Sequence, residues 1–206
     1  MSRQLVIGNK NLSSWSLRPW LALAKSGLPF EEVLVRLDLP ETRATLQQYS
    51  PAGKVPVLIE EGVAIWDSLA IIEFVAEQMP VLWPIERMQR ALARSLAAEM
   101  HSGFAALRST MPMNINATGL KVEGTPEVQR DIARIQAVWE DCRARFGAGG
   151  PWLFGAFSAV DAMFAPVVTR FRTYGVAVSP VVQAYMDTVW NDPEMQRWIA
   201  GARAES

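Results

Sequence analysis

The chain has 206 residues, 50% of them hydrophobic and 20% charged, which suits a folded protein with a substantial core rather than a disordered one. Its 20 basic residues nearly balance its 21 acidic ones, so no charge excess favours nucleic acid or an anionic membrane surface as partner. Cys142 is the only cysteine, which excludes an intramolecular disulfide and any metal site built from several thiolates, and no metal is expected.

The first apolar run, Leu5-Val6-Ile7, ends at Gly8-Asn9 and reads as a buried strand. It is too short for a signal peptide, and no run approaches the roughly 18 apolar residues of a membrane span, so a cytoplasmic location is expected. Asn9 to Ser16 is polar and rich in capping residues, and it leads into Leu17, Trp20, Leu21 and Ala24 at helical spacing, closed by Gly27. Pro19 lacks an N–H, which is harmless in a first turn, so the helix entrance falls among Ser13 to Ser16. Glu31 to Leu37 reads as a second, parallel strand, and Glu41 to Gln48 as a helix with Pro40 at its first position.

The densest stretch runs from Ser50 to Ser68. Val55-Pro56 opens an apolar run, a place where a proline's missing donor is tolerated, and a cis bond there would turn the Val55 backbone outward. Val57 to Ile59, Glu60-Glu61-Gly62 and Val63 to Trp66 make a hairpin pattern with glycine in the turn. Asp67-Ser68 then stands before Leu69, Ile72, Val75 and Met79, a helix whose N-terminus offers free N–H groups to a carboxylate. A proline at a strand start is by itself an edge marker, and a serine before a helix by itself a cap; the ordered set is what points to a site for a peptide with a free carboxylate. The element order β-α-β-α-β-β-α is the thioredoxin-like pattern and occupies residues 1–80.

Pro80 to Pro84 marks a boundary. From 85 to 206 only helical spacing is found: Ile85 to Ser109, Thr125 to Phe146 with Pro126 at the first position, Pro180 to Asn191, and Pro193 to Ala200 with Asp192 as cap. Ser158 and Asp161 have capping-box spacing, which gives Asp161 a structural role in preference to a catalytic one. The fold class is therefore α/β plus all-α: a thioredoxin-like domain followed by a helical bundle.

The set Ser-Pro-x-Gly-Lys-Val-Pro-x-Leu followed by Asp-Ser-x-Ala-Ile closely resembles the glutathione-binding half of cytosolic glutathione transferases, and Trp152-Leu153-x-Gly-x-x-Ser-x-x-Asp161 resembles a folding element of their helical domain. The resemblance implies that glutathione is the co-substrate. It places the cysteinyl unit on the backbone of Val55 before a cis Pro56, and the γ-glutamyl end on Asp67 and Ser68. Lys54 is left with two readings, a glutathione carboxylate or a surface ion pair with Glu60 or Glu61.

Ser13-Ser14-Trp15-Ser16-Leu17-Arg18 is similar to the zeta-class motif Ser-Ser-Cys-Ser-x-Arg, in which the first serine stabilises the glutathione thiolate. That resemblance assigns the sulfur to Ser13, with Ser14 second and Arg18 in support. Tyr49, Tyr174 and Tyr185 lie outside the first strand-helix connection, which disfavours a tyrosine-type enzyme. Trp15, in the place of the motif's cysteine, argues against lyase-type relatives that form a mixed disulfide there, and Cys142 reads as a buried inert thiol. The second substrate, a small electrophile, is expected against Trp15, Phe104, Arg108, Met111, Met113 and Asn114, although Phe104 and the methionines suit core packing equally well. His101, the lone histidine, reads either as an acid-base group or, preferentially, as a hydrogen-bonded link between helices. The resemblance implies conjugation of glutathione to an electrophile. Zeta-like isomerisation of maleylacetoacetate, peroxidase chemistry and a non-catalytic glutathione-binding module are the alternatives, and a homodimer is the implied assembly.

Overall fold

The computed structural model describes residues 3–205. Four short strands, β1 (Gln4–Ile7), β2 (Glu31–Leu34), β3 (Val57–Glu60) and β4 (Val63–Trp66), form one sheet in the order β2-β1-β3-β4. β1 runs parallel to β2, with Val6 opposite Val33, and antiparallel to β3, with Leu5 opposite Leu58. The β3-β4 turn carries Glu61 at φ 52° and Gly62 at φ 79°, both in the left-handed region that a two-residue hairpin turn requires. β2 is shorter than the expected Glu31 to Leu37. β1 ends at Ile7, so beyond Leu34 only the Val35 N–H still finds a strand carbonyl, that of Ile7 at 2.8 Å, and Leu37 N–H turns to the Asn9 side chain.

Side chains alternate across the sheet as a pleated strand demands. Leu5, Ile7 and Leu58 enter the main core with α1 (Ser14–Ser26) and α3 (Ser68–Gln78), whereas Val6 and Val57 meet Leu46 of α2 (Thr42–Gln47) in a smaller cluster. Pro40 lies in the turn before α2 and not at its first helical position, because the helix begins at Thr42. Pro19 is the sixth residue of α1, one turn deeper than the sequence suggests, and takes from Trp15 the N–H that its carbonyl would otherwise receive.

After a 3-10 turn at Pro80–Leu82 the chain is helical: α4 (Arg87–Ser102), α5 (Ala105–Thr110), α6 (Pro126–Phe146), α7 (Ala159–Tyr174), α8 (Pro180–Asn191) and α9 (Pro193–Ala204). The single helix expected from Ile85 to Ser109 is broken. Gly103 is extended, Phe104 adopts the left-handed φ of 57°, and a Cβ on Gly103 would lie 2.7 Å from the Glu99 carbonyl, so only glycine lets the chain leave α4 there. The Leu107 N–H near the start of α5 is taken up by Asp131 Oδ2 at 2.9 Å.

α7 is the buried axis of this half. Asp161 accepts from the Ser158 N–H and hydroxyl, the Leu153 N–H and the Tyr185 hydroxyl at 2.8 to 3.1 Å, and burial pushes its carboxyl up to about 6 despite those four donors. One apolar core runs from Leu5 to Ala202 and spans both halves. Its seam is laced by Lys25–Asp192 at 2.6 Å, by Trp198 Nε1 donating to the Lys10 carbonyl at 2.9 Å and by the Trp20–Trp198 ring contact at 5.2 Å. The packing fixes the start of α1 against α4, α5 and α7, where the site lies.

Candidate active site

A cavity of about 280 Å³ opens where the two halves meet, lined by Trp15, Lys54, Val55, Pro56, Trp66, Asp67, Ser68 and His101 together with Ala52. Five sequence-nominated residues, Lys54, Val55, Pro56, Asp67 and Ser68, thus come together on one wall. The Val55–Pro56 bond is cis. Neither the N–H nor the C=O of Val55 has a hydrogen-bond partner among the described residues, so this backbone is free to pair with an extended ligand. Lys54 makes no ion pair among the described residues, and the Glu60 that competes for it in the sequence is held by Arg3 through two contacts of 2.6 and 2.7 Å, which lower its carboxyl below the usual range.

Asp67 caps α3 with φ 77°, a value unusual for a non-glycine residue, and its Oδ1 accepts from the N–H groups of Leu69 and Ala70 at 2.9 and 3.3 Å. Its Oδ2 faces His101 Nε2 at 3.2 Å, which makes His101 the link between α4 and the α3 entrance. Ser68 is 1% exposed, and its hydroxyl has no hydrogen-bond partner among the described residues. A buried polar group left in that state costs about 1–3 kcal/mol, which a ligand carboxylate would recover.

The serine run divides its duties. Ser13 caps α1: its Oγ accepts from Ser16 N–H at 3.4 Å and donates to Ser16 Oγ at 2.7 Å, while Ser16 Oγ also receives the Gly8 N–H at 3.1 Å. Ser14 Oγ accepts from Arg170 Nη2 at 3.2 Å. Neither serine is in the cavity lining, which Trp15 provides at this point. Arg18 is buried, makes no hydrogen bond with the described residues, and lies with Cζ 4.4 Å from the Trp15 ring centroid. Burial, reinforced by Arg170 and Arg108 and opposed only by Asp67, brings its pKa down to about 9. Arg170, missed in the sequence, is also buried, and its pKa falls to about 10.

The second-substrate set is only partly brought to the cavity, through Trp15. Phe104, Met111 and Met113 are 7%, 2% and 2% exposed and belong to the core, and none of them is in the cavity lining. Asn114 is only partly buried; its carbonyl is bonded by Thr173 Oγ1 at 2.8 Å, and it is not in the cavity lining. Trp15 and His101, ring centroids 5.3 Å apart, form the facing wall in their place, with the Arg108 Cζ 5.4 Å from the Trp15 ring centroid. Cys142 is buried, and its thiol is pushed up to about 12, out of reach of any thiolate role.

Two family models match: glutathione S-transferase N-terminal domain over residues 12–78 and C-terminal domain over residues 125–191. A probable maleylacetoacetate isomerase of Caenorhabditis elegans is 36% identical over 99 residues, covering 47% of this chain and 46% of its own. Glutathione S-transferase L2, chloroplastic, of Arabidopsis thaliana is 29% identical over 186 residues, 88% of this chain and 57% of its own, so the chain spans about half the length of these curated relatives. A solved glutathione transferase homolog from Burkholderia GL BGR1, with bound glutathione, matches 100% of both chains at TM-score 0.73 and 24% identity, a likeness of fold. With both halves matched, the chain belongs to the glutathione S-transferase family.

Proposed function

We propose that the protein binds glutathione in this cavity, holds its sulfur as thiolate and conjugates it to an electrophilic small molecule. The observation that carries the reading is the unpartnered Ser68 hydroxyl beside the unpaired backbone of Val55. An extended peptide laid along Val55 pairs with it as an added strand, and its α-carboxylate takes the Ser68 hydroxyl and the Ser68 N–H, since Asp67 already holds the N–H groups of Leu69, Ala70 and Ile71. Asp67 supplies the negative charge for the adjacent amino group, and Lys54 suits the far carboxylate. The bound glutathione in the Burkholderia homolog supports the choice of ligand.

Of the two serines, Ser14 suits the sulfur better. Arg170 donates to its oxygen, so the Ser14 proton is free, whereas Ser13 is committed to Ser16. A hydroxyl donated to sulfur favours the thiolate, and the neighbouring arginines act in the same direction. The thiol proton passes to solvent. The sulfur electron pair then forms the C–S bond while the displaced pair departs with the leaving group, or moves onto a conjugated carbonyl that takes up a proton. Isomerisation through reversible addition of the same thiolate is a second reading, favoured by the isomerase relative.

A cytoplasmic homodimer that detoxifies reactive electrophiles is the setting this reading implies; the exposed side chains of Val63, Trp66, Ile85 and Met88 supply apolar surface for a dimer contact. Titration calorimetry with glutathione, initial rates with 1-chloro-2,4-dinitrobenzene and sedimentation velocity test the three parts. No heat of binding at millimolar glutathione overturns the ligand, no rate above the uncatalysed reaction overturns conjugation, and a monomer at micromolar concentration overturns the assembly.

A further inference from the structure

Three guanidinium groups converge on the entrance of α1 from three different helices. Arg18 comes from α1, Arg108 from α5 and Arg170 from α7, and each perturbs or is perturbed by another of the set. Arg18 and Arg108 both lie over the Trp15 ring, and Arg170 bonds Ser14 next to it. None of the three has a carboxylate within ion-pair distance among the described residues. Asp67 is the one acid that acts on Arg18, and it is shared with His101; Asp131, near α5, is engaged by the Leu107 N–H.

Such a cluster is expensive to build. A buried guanidinium with no hydrogen bond loses its hydration without compensation, and like charges beside it add to the cost. Proteins tolerate that arrangement where a ligand brings the missing anion. Arg170 spends its donors on the Met111 and Pro166 carbonyls and on Ser14, and Arg18 is sealed at 1% exposure, so both act on the cleft as fixed charge. Arg108 is different. It is partly exposed, and among the described residues its guanidinium makes one hydrogen bond, to the His101 carbonyl at 3.2 Å, which leaves the rest of its fork uncommitted there.

Resting on the transferase reading above, we propose that the electrophile carries a carboxylate, bound by Arg108 over the Trp15 ring in the field of Arg18 and Arg170. The thiolate accounts for Arg18 and Arg170, but the glutathione carboxylates do not account for Arg108. In the reading above those two carboxylates take Ser68 and Lys54, and Arg108, which is not itself part of the cavity lining, meets the cavity at the Trp15 ring that is. Guanidinium is matched to a planar carboxylate through two parallel N–H donors, which sets a carboxylate ahead of other anions. Arg108 therefore selects the acceptor and holds it beside the sulfur, and a neutral apolar electrophile of the same shape is the poorer substrate.

The test compares 4-chloro-3-nitrobenzoate with its methyl ester in the full-length protein with saturating glutathione. Sulfur bonds to the chlorine-bearing carbon and chloride leaves with its electron pair in both, so the two compounds share one reaction and differ in the charge, one methyl group and the activation of the ring. Each kcat/KM is divided by the uncatalysed rate constant to remove the difference in intrinsic reactivity. The expected acid-to-ester ratio is about tenfold or more in the wild type, falls to near one in Arg108→Gln, and is intermediate in Arg108→Lys, which keeps the charge and loses the fork. A wild-type ratio at or below one overturns the proposal without any variant. Equal loss for acid and ester in Arg108→Gln also overturns it, since the arginines then serve the sulfur and not the acceptor. Turnover of the ester with no preference for the acid leaves the transferase reading standing, whereas no turnover of either compound removes that reading and this inference together.

Discussion

His101 Nε2 stands 3.2 Å from Asp67 Oδ2, so a histidine from the helical half braces the residue that caps α3 in the sheet-bearing half. The same carboxylate therefore caps a helix, bridges the halves and faces the cavity. Asp67→Ala removes all three at once. The expected result is a loss of about 1 kcal/mol of stability from the cap and a loss of glutathione affinity of about tenfold or more. His101→Ala leaves the cap in place, so it should weaken binding less. Both side chains are partly solvated, at 28% and 43% exposure, which limits the coupling in a double-mutant cycle on stability to about 0.5–1 kcal/mol. Chemical denaturation of the four proteins and calorimetry with glutathione provide the numbers, and equal affinities for wild type and Asp67→Ala would contradict the role given to the carboxylate.

Ser68 offers a test in which stability and binding move in opposite directions. Its hydroxyl has no partner among the described residues, so Ser68→Ala removes an unsatisfied buried group and should leave the ligand-free melting temperature unchanged or raise it. In the complex the same change deletes a donor to a buried carboxylate and should weaken glutathione by about 1–3 kcal/mol. Thermal melts with and without glutathione separate the two effects. A variant that melts lower when free and binds glutathione as well as wild type would mean that the serine is only structural.

Asp161 carries a pH signature that belongs to the fold and not to the site. Burial raises its carboxyl from the usual 3.8 to about 6, so the folded chain holds this proton more tightly than the unfolded one. The resulting stabilisation is complete below about pH 4 and is lost as the pH rises through 6, a change of about 3 kcal/mol. Asp161→Asn cannot titrate and lacks that slope. Urea denaturation of both proteins from pH 4 to 7 should therefore show the wild-type advantage shrinking as the pH rises. If the advantage grows instead, the donors from Leu153, Ser158 and Tyr185 outweigh burial.

What the sequence discloses and what it conceals follow the range of the interactions. Val55-Pro56 and Asp67-Ser68 are legible because a cis proline, a hairpin turn and a helix cap are set by neighbours a few residues apart, and the caps at Thr125, Asp192 and Ser158 are read for the same reason. Arg170 escapes because its meaning depends on Ser14, 156 residues away, and its only local mark is a charge inside the apolar run of α7. Phe104, Met111 and Met113 mislead because apolar side chains suit a cavity wall and a core alike. What decides between them is the packing of distant helices into one core, which no local pattern shows.

The serine pair gives the sharpest test of the thiolate. Both hydroxyls sit at the α1 entrance, but Ser13 is tied to Ser16 and Ser14 takes its hydrogen bond from Arg170. Ser13→Ala should therefore behave as the loss of a cap, costing about 1 kcal/mol of stability, with the pH–rate profile kept. Ser14→Ala should leave glutathione affinity near that of wild type, because Val55, Asp67 and Ser68 hold the rest of the peptide. Its turnover should fall sharply, and the pH of half-maximal rate should move upward as the thiolate becomes harder to form. The sign follows from the donor: a hydroxyl that bonds the charged sulfur lowers the thiol pKa, so removing it raises the pH at which thiolate accumulates. Initial rates against pH with one electrophile, alongside the ultraviolet absorbance of the bound thiolate, decide between the two. A profile displaced by Ser13→Ala and untouched by Ser14→Ala would assign the sulfur to Ser13, in keeping with the zeta-like motif. If both variants keep the wild-type profile, the buried charges of Arg18 and Arg170 stabilise the thiolate without a hydroxyl.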